Sequence, residues 1–418
     1  MNSRKFNRIR RLLPAGAFCL VLLGSVWMPV DAAIDEGLPV GPWILTPSVV
    51  TGYEYDSNPL FTEGGSASDR VSILTPRLGA FLPVSNSGFR IELEQSYYNY
   101  EILDLDDNTV TDISAAVELE FSTSDNLEVA FDRTSGLARS VQAFDEGGEA
   151  VFQGDTFDLN QYTMALSRSV SGHRGYRFQV VRRDLVFDPN TTAKFFNYRG
   201  WSYSGEYREP VAPGRWIIAS VEGRRYDHFR VLSRPGDLFR QEDSRMLFVG
   251  LDGKFFSHWN SRVRVGYGDY RFPMADGSDY SGMVGDFSAS YRSSGERLLV
   301  QIIAAHKPQA SFFFNSTYYL NTSSEMTLEY GVRPRLTLGG RANFGHSAYR
   351  DPLVNPGDPQ EGLIRADRSR TVEVFGRIEL TPWIGATVSA RSSRRTSNYE
   401  GEEYEAKSIF GGLAIGWL

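Results

Sequence analysis

The sequence predicts an all-β chain: a single transmembrane antiparallel up-and-down β-barrel of about 18 strands (16–18), preceded by a cleaved signal peptide. Three observations predict it. Apolar and polar residues alternate with a period of two in run after run. Short turn segments alternate strictly with longer polar stretches. The last run, Ile409 to Leu418, keeps the alternation going to the final residue, with Ile409, Leu413, Ile415 and Trp417 on one face.

The first segment reads as a targeting signal. Arg4, Lys5, Arg8, Arg10 and Arg11 precede an apolar stretch from Leu12 to Met28. Val30-Asp31-Ala32 then offers a small-residue cleavage pattern, so the cut is placed after Ala32. The competing reading is an N-terminal anchor, against which the stretch is short and interrupted by Pro14. The predicted division is therefore 1–32 signal peptide and 33–418 barrel. Cleavage there takes the net charge from −7 to −11, with 39 basic residues facing 50 acidic ones. An acidic chain argues against nucleic acid as a partner. The single cysteine, Cys19, lies inside the signal, so the remainder has no thiol chemistry.

Hydrophobic residues make up 41% of the chain, and its mean hydropathy is negative. A barrel produces that average, because lipid-facing and lumen-facing side chains alternate and cancel. The clearest strand is 89–98, where Phe89, Ile91, Leu93 and Tyr97 oppose Arg90, Glu92, Glu94 and Ser96. Residues 112–121 repeat the pattern, with Ile113, Val117 and Phe121 against Asp112, Glu118 and Glu120. Eight short turns, among them Ser85-Asn86-Ser87-Gly88 and Ala212-Pro213-Gly214, alternate with nine longer polar stretches. That count gives about 18 strands, with turns and both chain ends in the periplasm and loops outside. A soluble all-β fold also alternates, but long–short loop alternation and tryptophan placement favour the membrane. Trp43, Trp216, Trp259, Trp383 and Trp417 fall at periplasmic strand ends and Trp201 near an outer one, as interfacial aromatic girdles require. The expected location is the bacterial outer membrane, with its lipids and the barrel-assembly machinery as partners.

Charges are costly on a lipid face, so the polar faces should line the lumen. The expected pore lining has an acidic wall of Glu92, Glu94, Asp112, Glu118, Glu120, Glu128 and Asp132, with Arg90 beside it. A basic wall of Arg182, Arg224, Arg262 and Arg264 follows. The facing of Arg177, Arg183 and Arg225 is open. Two readings stand: opposed walls set a transverse field that attracts anionic solute groups, or the charges pair and stabilise the barrel. Loop residues Phe144 to Glu149 fit either an inward constriction or an outer lid. Asp104, Asp106, Asp107 and Asn108 suggest a calcium loop, but Thr109 stands where an EF-hand wants Gly. The five histidines show no paired-ligand spacing, and no nucleophile elbow or phosphate loop occurs. No enzyme, cofactor or metal is expected; a rim hydrolase is the residual alternative.

Leu45 to Pro59, with its Asp56-Ser57-Asn58 turn, and the hairpin Tyr330 to Gly340 resemble the outer-membrane β-barrel porin families often encoded beside exopolysaccharide export genes. The resemblance spans most of the chain as architecture. It implies a conduit for a surface or secreted polysaccharide, with a periplasmic polysaccharide-export component as partner. The alternatives are a general diffusion porin for small hydrophilic solutes and a non-conducting structural or adhesin-type barrel.

Overall fold

The computed structural model describes residues 37–417 apart from 60–67, 85–86, 104–108, 138–155, 171–173, 189–196, 230–237, 257, 274–278, 312–317 and 353–358. The signal segment, the Asp104–Asn108 loop and the Phe144–Glu149 loop lie outside the described residues.

A short strand, β1 (Leu38–Val40), turns at Gly41 and pairs with the start of β2. Eighteen long strands follow: β2 (Trp43–Asp56), β3 (Asp69–Val84), β4 (Ser87–Tyr100), β5 (Thr109–Ser122), β6 (Asp125–Leu137), β7 (Thr156–Val170), β8 (Arg174–Phe187), β9 (Asn197–Ala212) and β10 (Arg215–Phe229). Then come β11 (Leu238–Phe256), β12 (Trp259–Arg271), β13 (Tyr280–Arg292), β14 (Leu298–Ala310), β15 (Tyr318–Arg333), β16 (Leu336–Pro352), β17 (Ile364–Thr381), β18 (Ile384–Ser397) and β19 (Tyr404–Gly416). Each pairs antiparallel with the next, and β19 pairs with β2 through Ser408↔Asp56 to Gly416↔Ser48. β2 to β19 therefore form a closed 18-stranded barrel with no free edge, the only way a sheet can satisfy its backbone in lipid. Strands of 13 to 19 residues exceed the ~9–11 that a tilted span needs, so they project beyond the bilayer.

Register fixes which way every side chain points, because directly opposed residues share a face. The assignment runs round the ring and returns to itself at β19–β2. One outward row passes through Val300, Leu328, Gly340, Val374, Ala390 and Ile409 on β14 to β19. In it Leu328, Val374 and Ile409 are 40%, 58% and 59% exposed. A band of apolar side chains facing away from the protein is stable only against lipid. The chain is a transmembrane β-barrel of the bacterial outer membrane. By the rule for such barrels, the short turns face the periplasm and the long connections face outward.

The interior is not uniformly hollow. Inward side chains Met246, Phe248, Tyr270 and Val284 pack with Phe272, just past β12, and with Tyr318, on the outward row at the start of β15, into a buried cluster, with Tyr280 and Leu320 against it. The Phe272 and Tyr318 rings stack at 5.7 Å with an interplanar angle of 1°. At the long-loop end, Asp367 is buried between Arg365 and Arg395. Its oxygens accept from Arg365 Nε at 3.0 and 3.1 Å, from Arg395 Nη2, and from Ser397 Oγ at 2.6 Å. Arg365 also covers the Tyr349 ring at 4.7 Å.

Candidate functional site

The inner wall of β4 to β6 is acidic because its inward positions repeat Glu and Asp every second residue. Register places Glu94 opposite Asp112, Glu92 opposite Ser114, Arg90 opposite Ala116, and Glu118 opposite Glu128. Asp132 lies opposite Ser114 and Gln161. With Glu120, opposite Asn126, these seven carboxylates and Arg90 share one face with Arg77 and Ser48. Glu92, Glu94, Asp112 and Asp132 line one recess of about 410 Å³ with Arg77 and Thr46. Arg77 Nε stands 2.7 Å from Glu94 Oε2, and Thr134 Oγ1 donates to Asp112 at 2.5 Å. Among the described residues, Glu94 is the only one of the seven carboxylates that is ion-paired. Glu118 and Glu128 stand directly opposite each other, an unfavourable like-charge pair. Arg90, Glu92, Glu118 and Glu120 are exposed on this inner face, which is therefore open to water.

The wall of β9 to β14 is different. Arg224, Arg262 and Arg264 point inward, and carboxylates of the same wall neutralise them; Arg183 on β8 also points inward and donates to Gln161 at 2.7 Å. Glu206 accepts from Arg262 Nη2 and from Arg208 Nε at 2.7 Å, and Arg208 Nη1 reaches Asp252 at 3.2 Å. Arg264 donates to Glu222 at 2.5 Å and to Asp286 at 2.7 Å, over the Phe248 ring at 4.6 Å. Lys307 Nζ completes this group at 3.1 Å from Asp286. Arg224 donates to Glu242, whose side chain is 1% exposed. The expected basic wall is thus a ladder of compensated ion pairs. Several of its links skip strands, Glu206–Arg262 joining β9 to β12, Glu222–Arg264 joining β10 to β12 and Glu222–Lys307 (3.9 Å) joining β10 to β14, which only an inward-curving wall allows.

Arg182 does not face the lumen. Gln161 pairs with Arg183, so Arg183 points inward and Arg182 outward. There Arg182 lies over the Trp201 ring at 5.4 Å and donates to Asp184 at 3.2 Å, with Arg199 on the same carboxylate. The tryptophans also divide. Trp43 faces outward against Phe89 at 5.8 Å, Trp259 outward against Tyr291 at 5.2 Å, and Trp201 outward near the long-loop end. Trp216 faces inward, opposite Asp252, because it alternates along β10 with Ile218, Ser220, Glu222 and Arg224. Trp417 lines the inner acidic recess, since the positive φ of Gly416 (118°) redirects the chain, and it meets the Trp383 ring at 4.3 Å.

Sequence reading missed the partners of the inward arginines, Glu206, Glu222, Glu242, Asp252 and Asp286, and the further cation Lys307. Each sits in an alternating run, so its inward facing was available; its pairing across skipped strands was not. Among the described residues, no group of His, Cys, Asp and Glu is arranged to hold a metal ion.

No family model and no curated protein matches the chain. Solved structures similar to it include OccK9 (OpdG) of Pseudomonas aeruginosa, at 13% identity over 91% of this chain and 100% of that one, with a TM-score of 0.49. OpdO of the same organism is 11% identical over 91% and 98%, with a TM-score of 0.47. The FrpB iron transporter from Neisseria meningitidis is 8% identical, with a TM-score of 0.46; the chain spans only 62% of its length. At these identities the likeness is one of barrel architecture.

Proposed function

We propose that the chain is a water-filled outer-membrane pore for small hydrophilic solutes, with a preference for cations. The observation that carries this reading is the asymmetry of the lumen. Six inward carboxylates of β4 to β6 have no ion-pair partner among the described residues, while the inward arginines of β9 to β12 are compensated. Charged rings in a pore select by sign, and uncompensated carboxylates raise the local cation concentration. An 18-stranded wall is wide enough for an aqueous channel. The same acidic surface disfavours an acidic polymer, so the polysaccharide conduit implied by the resemblance gains nothing from the lumen, and a diffusion pore fits it better.

Planar-bilayer recording under a salt gradient tests the proposal. The zero-current potential should have the sign of cation preference, and the Glu118→Gln, Glu120→Gln, Glu128→Gln triple variant should move it toward zero. Anion preference, or a potential unmoved by the triple variant, overturns it. Absence of conductance steps replaces it with a non-conducting structural or adhesin-type barrel.

A further inference from the structure

The outer wall of β14 to β19 departs from its apolar band on the side of the long connections. Two adjacent outward rows can be followed strand by strand. One runs His306, Thr322, His346, Arg368, Thr396. The other runs Ala304, Ser324, Phe344, Arg370, Arg394, Glu405. Lys407 lies outward one row nearer the apolar band. Arg368, Arg370, Arg394 and Lys407 are all exposed, and Glu405 is the only carboxylate in these rows. Lys407 Nζ engages Glu405 at 2.8 Å. Among the described residues, Arg368, Arg370 and Arg394 have no carboxylate within 4 Å.

Arg370 and Arg394 are directly opposed on neighbouring strands. Like charges in that position repel and weaken a sheet unless an anion sits between them. A planar guanidinium pair is also suited to gripping a phosphate by paired donors. Beside them lies an outward groove of about 980 Å³, lined by Val263, Val265, Phe287, Ala304 and Phe344, with His306, His346 and the three arginines at its polar side. Apolar lining next to three exposed arginines and Lys407 that face one carboxylate, Glu405 opposite Arg394, at the upper edge of a lipid-facing band, is the complement of an amphiphile carrying phosphate.

We propose that this face holds one phosphorylated lipid of the outer leaflet, with its phosphate between Arg370 and Arg394, supported by Arg368, and an acyl chain in the groove over Ala304. The assignment rests on the membrane position of the barrel and not on conduction, so it stands or falls separately from the pore reading.

Native mass spectrometry of the full barrel, released from detergent, supplies the test. The probes are lipid A bearing two phosphates, the same lipid stripped of phosphate, and inorganic phosphate. The wild-type barrel should retain one phosphorylated lipid, bind the stripped lipid about tenfold or more weakly, and keep its lipid against an equal concentration of inorganic phosphate. Arg370→Gln with Arg394→Gln should lose about tenfold or more in affinity, and Arg370→Lys with Arg394→Lys should recover most of it. Both variants are read only as the heat-modifiable folded form. Equal affinity for the stripped lipid, displacement by inorganic phosphate, unaltered binding by the double glutamine variant, or an adduct with the mass of a second barrel overturns the proposal.

Discussion

Arg224 on β10 donates from Nη2 to Gln309 Oε1 on β14 at 3.3 Å, although three strands lie between them. In a flat sheet those backbones would be about 19 Å apart at ~4.8 Å per strand. Two side chains bridge that span only because β10 to β14 curve sharply inward around Met246, Phe248 and Tyr270. One side of the lumen is therefore filled by the wall itself. Gln309→Ala removes this chord and leaves Arg224 on Glu242. It should cost about 0.5–1.5 kcal/mol, the usual worth of such a bond, and raise single-channel conductance modestly. A lower conductance would contradict the inward-curved wall.

Arg264 is the centre of the ion-pair ladder, 11% exposed between Glu222 and Asp286. Arg264→Met leaves two carboxylates to share Lys307. The expected loss is about 3 kcal/mol, toward the low end for breaking a buried pair, because both carboxylates keep partial access to water. Denaturant unfolding of the detergent-solubilised barrel measures it. Replacing Arg264, Glu222, Asp286 and Lys307 together by apolar residues of similar volume should cost less than the single change, since no buried charge is then stranded.

The ring closes on a small pairing of shapes. Phe410 on β19 lies over Gly52 on β2 and Gly412 on its own strand, and a Cβ at either glycine would collide with its ring. Gly52→Val should destabilise the seam by about 1–3 kcal/mol, as overpacking does. It should also lower the fraction of chain that migrates as the compact form on an unheated gel. Val50→Ala, inward on the same strand, provides the comparison without a clash.

Asp69 organises the β4–β5 connection from a distance. Its side chain, 1% exposed in the folded barrel, accepts from the backbone N–H groups of Glu101 at 3.0 Å, Ile102 at 3.1 Å and Leu103 at 2.8 Å. Asp69→Ala releases these donors together, at about 2 kcal/mol locally. Hydrogen exchange at 101–103 should accelerate while the barrel strands keep their protection. Unchanged exchange there would mean that the connection is held by something else.

The fold was legible because a membrane barrel has little freedom. The run Phe89 to Tyr98 states its two faces outright, and the alternation of short and long connections yields 18 strands by counting. The acidic inward residues were legible for the same reason. Arg182 was not: Val180-Val181-Arg182-Arg183 breaks the alternation, and only the pairing of Gln161 with Arg183 decides which arginine turns inward. Trp417 was misassigned for a backbone reason, the positive φ of Gly416, whereas the inward facing of Trp216 was readable from its alternation with Glu222 and Arg224 and was missed. The fate of the arginines was least legible. Glu206 and Arg262 are 56 residues apart on strands that are not neighbours, and their meeting depends on wall curvature, which no local pattern encodes.

The β19–β2 seam has one more implication, for how the protein comes into being. The two strands that seal the ring stand at opposite ends of the described chain, so as the barrel assembles the outer edge of the first stays open until the last is in place. Until then every intermediate carries two sticky borders, each able to template a wrong neighbour. Completion is therefore a single late event rather than a gradual one. A chain lacking β19 would yield no smaller channel, only an open sheet that the cell must shield or destroy.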